Sequence, residues 1–151
     1  MKVVVQRCKN ASVTVEDKIV GKINQGIMLL VGFTKGDSIK EITYMVDKII
    51  NLRIFDDNEG VMNRSLLDIK GDILSISQFT LYADTKKGRR PSYIKALGGE
   101  EASKLYNIFN QELEKYVKVE TGIFGADMKV SLINDGPVTI IIEKEGNIDG
   151  K

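Results

Sequence analysis

The sequence predicts a single α/β domain over residues 1–151, a mixed β-sheet carrying two main helices. Three observations lead there. Ile27 to Phe33 is an almost unbroken apolar run, the pattern of a central strand buried on both faces. Two stretches, one after Ser38 and one from Glu100, repeat apolar residues at helical spacing. The other apolar residues gather in short runs rich in β-branched types, separated by turn formers. A chain of 151 residues is long enough to bury one substantial core.

Taken in order, Met1 to Arg7 reads as a first strand, with Arg7 able to lay its stem on apolar neighbours and keep its head in water. Ala11–Val15, the turn Glu16-Asp17-Lys18 and Ile19–Ile23 form a hairpin, and Asn24-Gln25-Gly26 turns into the central run. Ser38 with Glu41 three residues on is a capping box, and Ile42, Met45, Val46, Ile49 and Ile50 follow as the buried stripe. Leu52–Phe55 is extended and Asp56–Gly60 is an acidic turn without the ligand spacing of a calcium loop. Val61–Asp68 is short and irregular.

Asp72–Leu81 reads as one ten-residue strand. Its Ser75, Ser77, Gln78 and Thr80 ask for partners, because an unpaired buried polar group costs about 1–3 kcal/mol. Satisfied Ser and Thr are common in sheets, so the strand alone is compatible with a purely structural role. Lys86-Lys87-Gly88-Arg89-Arg90 is a concentrated cationic loop, for which phosphate contact and plain solvation compete evenly. A second helix spans Glu100 to Tyr116, with Ala102, Leu105, Tyr106, Phe109, Leu113 and Tyr116 on one stripe. Val117–Thr121 is a short strand. Met128–Asn134 and Val138–Ile142 are strands joined by a fixed turn at Asn134-Asp135-Gly136-Pro137. Residues 143–151 form a frayed polar tail.

Composition excludes several chemistries. Lys and Arg number 22 against 21 Asp and Glu, so any attraction for nucleic acid must be local. There is no histidine, which removes Ser-His-Asp and Cys-His catalysis. With Cys8 the lone cysteine, neither a disulfide nor a zinc site is expected, and no metal or cofactor is implied. No apolar run reaches membrane-span length and no signal peptide is evident, so a cytoplasmic protein without membrane contacts is expected.

Two separated stretches, Ser77-Gln78-Phe79-Thr80-Leu81-Tyr82-Ala83-Asp84 and Asn134-Asp135-Gly136-Pro137-Val138-Thr139, resemble the signatures of the D-aminoacyl-tRNA deacylases (D-tyrosyl-tRNA(Tyr) deacylases). The resemblance extends to Met1–Arg7 with Ala11–Val13, to Lys87–Ser92 and to Phe124–Met128, with Tyr93 standing where phenylalanine is expected. It implies that family's fold, a mixed sheet closed into a partial barrel, and a cytoplasmic homodimer. The implied reaction is hydrolysis of the ester between a D-amino acid, or glycine, and the terminal ribose of tRNA. It releases free amino acid and tRNA as a proofreading step of translation.

The resemblance also assigns roles. A cis Gly136-Pro137 from one subunit reaches the other's pocket, where its carbonyls hold the α-ammonium and leave no room for an L side chain. Arg7 braces that motif and Met128 lies beside the substrate. Lys86, Lys87, Arg89 and Arg90 meet the tRNA; no DNA partner is implied.

An aminoacyl ester is already activated, so positioning, carbonyl polarisation and water delivery suffice. Backbone N–H groups at Phe79 and Thr80 suit an oxyanion, with Ser77, Gln78 and Thr80 positioning the ester. The vicinal ribose hydroxyl can activate water. The competing route makes Thr80 the nucleophile, yet no histidine or neighbouring lysine stands by in sequence to take its proton. A non-catalytic dimer that binds RNA ends, or a regulatory dimer, fits the composition equally well.

Overall fold

The computed structural model describes residues 1–146; the rest of the expected tail lies outside the described residues. The elements are β1 (Lys2–Val15), β2 (Lys18–Ile23), β3 (Gly26–Gly32), α1 (Ile39–Asn51), β4 (Phe55–Asp56), β5 (Met62–Arg64), α2 (Leu66–Ile69), β6 (Asp72–Ser77), a 3₁₀ turn (Phe79–Tyr82), α3 (Gly99–Glu114), β7 (Val119–Thr121) and β8 (Lys129–Glu143). The sheet runs β2-β1-β3-β6-β7, with β8 also paired to β1. The β3–β6 and β6–β7 pairs are parallel and the pairs made by β1 are antiparallel, so the sheet is mixed. Parallel neighbours need long crossovers, and α1 and α3 lie in them. The sheet curls until β2 returns against β7. At Gly21 an added Cβ would meet the Thr121 carbonyl oxygen at 2.7 Å, so the near-closure depends on glycine there.

Two apolar layers pack against the sheet. Ile27, Leu29 and Val31 of β3 face α1 and α3, joining Ile42, Met45, Ile49, Tyr106 and Phe109. Met28, Leu74 and Ile76 point the other way, into the curl, with Cys8, Val13 and Ile23. This is the double burial expected of the central run. Each fully buried aliphatic side chain contributes about 1.5–3 kcal/mol against exposure. The β1–β2 turn is held by Glu16 and Asp17, at φ of 48° and 64°, as a two-residue hairpin of this hand requires.

Several elements differ from expectation. The strands expected at 1–7 and 11–15 are one strand, because β8 accompanies β1 from Glu143 back to Lys129. Asn134–Pro137 likewise does not reverse the chain. Between the pairs Gln6↔Thr139 and Cys8↔Asn134, Arg7 alone lies opposite the four residues Asp135 to Val138, so the segment bulges out of a continuous strand. Pro137 has no ladder bond to make there.

The strand expected to reach Leu81 ends at Ser77. β3 stops at Gly32 and β7 pairs only as far as Ser75, so the backbone beyond the Gln78 N–H to Val31 O bond (2.7 Å) has no ladder to follow. It winds into a 3₁₀ turn instead, packed so closely that a Cβ on Gly32 would meet the Gln78 carbonyl oxygen at 3.0 Å.

Ser38 does cap α1, but by accepting from the Lys40 N–H, while its hydroxyl bonds the Glu41 carboxylate at 3.3 Å. The reciprocal capping box forms at Ser65 and Asp68, in the stretch expected to be irregular, and starts α2. α3 ends at Glu114, leaving Tyr116 exposed rather than on the buried stripe. Glu143 belongs to β8 and the Lys144 N–H bonds Met1 O at 2.9 Å, so the chain is tied down beyond the expected start of fraying.

Candidate active site

A cleft of about 530 Å³ opens at the carboxyl ends of the parallel strands β3 and β6. That is where ligands gather in α/β sheets, because the strands end there and the chain departs in different directions. Ser77, Gln78 and Phe79 form one wall, Gly98, Gly99 and Ala102 at the start of α3 another, and Phe124 to Met128 a third. Ser77, Gln78, Phe79 and Met128 are therefore brought together. Thr80 sits one step outside the lining, its Oγ1 accepting a bond from the Gln78 side-chain amide. The 3₁₀ turn has no side-chain cap, so its leading N–H groups, at Phe79 and Thr80, are the orphan donors every helical turn leaves at its start.

The wall is anchored from beneath. The Tyr106 hydroxyl of α3 donates to the carbonyl of Ser75 at 2.8 Å and receives the Ser75 hydroxyl at 3.4 Å. Burial pushes the Tyr106 hydroxyl's pKa up, so it remains a donor. Its ring packs on Phe124 with centroids 5.9 Å apart, linking strand, helix and the third wall of the cleft. The helical stripe marked Tyr106 only as core. The signal for its second role was a Ser in the buried strand and a Tyr in the helix covering it, which sequence could not pair.

Gly136-Pro137 is a cis peptide, with Gly136 at φ 130°. Asn134 shapes the bulge, its Oδ1 accepting the Val138 N–H at 2.8 Å and its Nδ2 donating to Thr139 Oγ1 at 2.9 Å. Behind it, Arg7 is 8% exposed, which overturns the reading of a head held in water. Its Nε donates to the Asp135 carbonyl at 2.8 Å and its Nη1 to the Ile54 carbonyl at 2.7 Å. Gly136 and Pro137 themselves face outward. Within the chain they are not brought to the cleft, whose lining includes Met128 and Val130 of this stretch but neither Gly136 nor Pro137. Cys8, opposite Asn134, is buried, and desolvation pushes its thiol up to about 11, which leaves it inert at neutral pH.

Lys86, Lys87, Arg89 and Arg90 are all exposed, and among the described residues none of the four forms an ion pair. Their loop is closed at its base by paired Asp84–Ser92 backbone bonds of 2.8 and 2.9 Å. The backbone N–H of Lys86 holds the Asp84 carboxyl below the usual range. Among the described residues no three His, Cys, Asp or Glu side chains converge as a metal site would need, and no helix is long and apolar enough to cross a membrane.

Comparison with known proteins agrees with this fold. The structure of a c-Myc DNA unwinding element binding protein is 42% identical with a TM-score of 0.91, over 97% of this chain and 100% of that one. The structure of a probable eukaryotic D-amino acid tRNA deacylase shares the fold at 19% identity and a TM-score of 0.80, over 93% of this chain and 97% of that one. The family model for D-Tyr-tRNA(Tyr) deacylase matches residues 4–143, which take in the cleft wall, the cationic loop and the cis bulge alike. The chain thus belongs to the D-Tyr-tRNA(Tyr) deacylase family, hydrolases of the aminoacyl-tRNA ester.

Proposed function

We propose that the protein hydrolyses D-aminoacyl-tRNA, and tRNA mischarged with glycine, by a substrate-assisted route that needs no metal, as a cytoplasmic homodimer. The observation that carries this reading is the uncapped 3₁₀ turn on the wall of the cleft. An ester carbonyl seated against the Phe79 and Thr80 N–H groups has its developing oxyanion met by fixed donors, which cost no reorganisation when the charge forms.

The attacking water needs a base. The Thr80 hydroxyl is engaged by the Gln78 amide, and the chain offers no histidine. The Asp127 carboxylate on the cleft wall is paired with Lys129, and we assign water orientation and activation to the vicinal ribose hydroxyl, with Thr80 holding Gln78 in place rather than attacking. The outward Gly136-Pro137 suits a second subunit's cleft. Two carbonyls fixed there would hold the α-ammonium and occlude the position of an L side chain, so the wrong enantiomer is refused by a clash.

The deciding experiment follows hydrolysis of D-tyrosyl-tRNA beside L-tyrosyl-tRNA, with and without a chelator, against an enzyme-free control. Selective loss of the D ester in both conditions is expected. Equal loss of both esters would remove the chiral role of Gly136-Pro137. Binding without loss would leave a module that only holds RNA ends. Because a 42% identical protein is named for a DNA element, duplex DNA belongs in the assay as competitor, and no inhibition is expected.

A further inference from the structure

We infer that Phe79 and Tyr93 form a stacking platform for the unpaired nucleotide preceding the terminal adenosine of the substrate tRNA. The inference rests on the deacylase reading above. The two rings meet edge to face, centroids 5.1 Å apart at 70°. Yet 51% of Phe79 and 43% of Tyr93 stay exposed, and neither belongs to either apolar core layer. In an edge-to-face pair one ring face is covered by the partner's edge, and the other faces of an exposed pair stay open to a further flat group.

Their position narrows what that group is. Phe79 forms part of the cleft wall, and Tyr93 directly follows Ser92, whose backbone closes the cationic loop on Asp84. The pair therefore bridges the ester site and the four exposed cations. A strand whose last nucleotide occupies the cleft, with its phosphates drawn to the loop, would run past these rings. Ile94, 82% exposed, extends the apolar surface beside them. Stacking a base on an aromatic ring contributes about 1–3 kcal/mol, enough to hold the strand end over the cleft.

The test compares D-tyrosyl-tRNA with 3′-(D-tyrosyl)adenosine, a minimal ester that lacks the preceding nucleotide. In Tyr93→Ala, KM for the tRNA should rise about tenfold with kcat held within about twofold, and the preference for tRNA over the minimal ester should fall by the same factor. Tyr93→Phe should keep wild-type preference. The salt dependence of KM should persist in Tyr93→Ala but flatten when Lys86, Lys87, Arg89 and Arg90 are neutralised together, because stacking releases no counterions.

Equal losses on both esters would mean that Tyr93 acts only through Phe79 on the cleft, and would overturn the platform. Unchanged preference would overturn it too, as would a change in sedimentation mass that marks the pair as a subunit contact. Wild-type protein inactive on both esters would instead remove the deacylase reading. Binding of uncharged tRNA, weakened or not in Tyr93→Ala, would then decide the platform by itself.

Discussion

Ser77–Tyr82 is folded into its own chain, whereas Asn134–Thr139 is held only from behind. In the first stretch Gln78 closes the ladder on Val31, its amide bonds Thr80, and Tyr106 fastens the strand beneath. In the second, Arg7 and the Asn134 side chain stiffen a bulge whose Gly136 and Pro137 point away from the molecule. One makes a cavity wall and the other a projection. The proposed dimer would give this braced projection a counterpart in the second subunit.

The comparison can be broken first at Arg7. Arg7→Ala leaves the Asp135 and Ile54 carbonyls without their donor, and should cost about 3 kcal/mol in urea unfolding, with Arg7→Lys recovering part. A loss below about 1 kcal/mol would show that water replaces the guanidinium and that the bulge does not depend on it.

Next in size is Pro137→Ala, which should leave the fold intact but lower the ratio of D- to L-tyrosyl-tRNA hydrolysis about 100-fold, the scale of a single steric contact in a fitted pocket. Selectivity that stays at the wild-type level would take the projection out of substrate recognition.

The anchored stretch should respond more mildly. Tyr106→Phe removes both hydrogen bonds between its hydroxyl and Ser75 and should cost about 1–2 kcal/mol, read by thermal or urea unfolding. The smallest effect is expected for Thr80→Ala. If water is activated by the ribose, kcat should fall by less than about tenfold, whereas loss of turnover with tRNA binding intact would restore Thr80 as nucleophile.

Much of this architecture was legible in the residues. Ile42, Met45, Val46, Ile49 and Ile50 predicted the buried face of α1, and the unbroken run at 27–33 predicted a strand with cores on both sides. Two members of the cleft wall, Ser77 and Gln78, stood out as polar residues in a run otherwise fit for burial. The local sequence around Arg7 pointed to a head in water because its partners lie 128 and 47 residues away, at Asp135 and Ile54. The 3₁₀ turn at Phe79 was misread because β-propensity continues to Leu81 while the neighbouring strands do not.

The sequence by itself determined what is local: helical stripes, a hairpin turn, the residue types available for chemistry, and those unavailable for want of histidine. Local spacing controls which residues share a face, and that is a property of the chain alone. Only the tertiary structure decided that β1 and β8 run unbroken beside each other and that the sheet curls onto Gly21. It also decided that the cavity and the projection stand apart. Those outcomes depend on which backbone lies opposite which, and a ladder ends or bulges where its partner does, however far away in sequence that partner is.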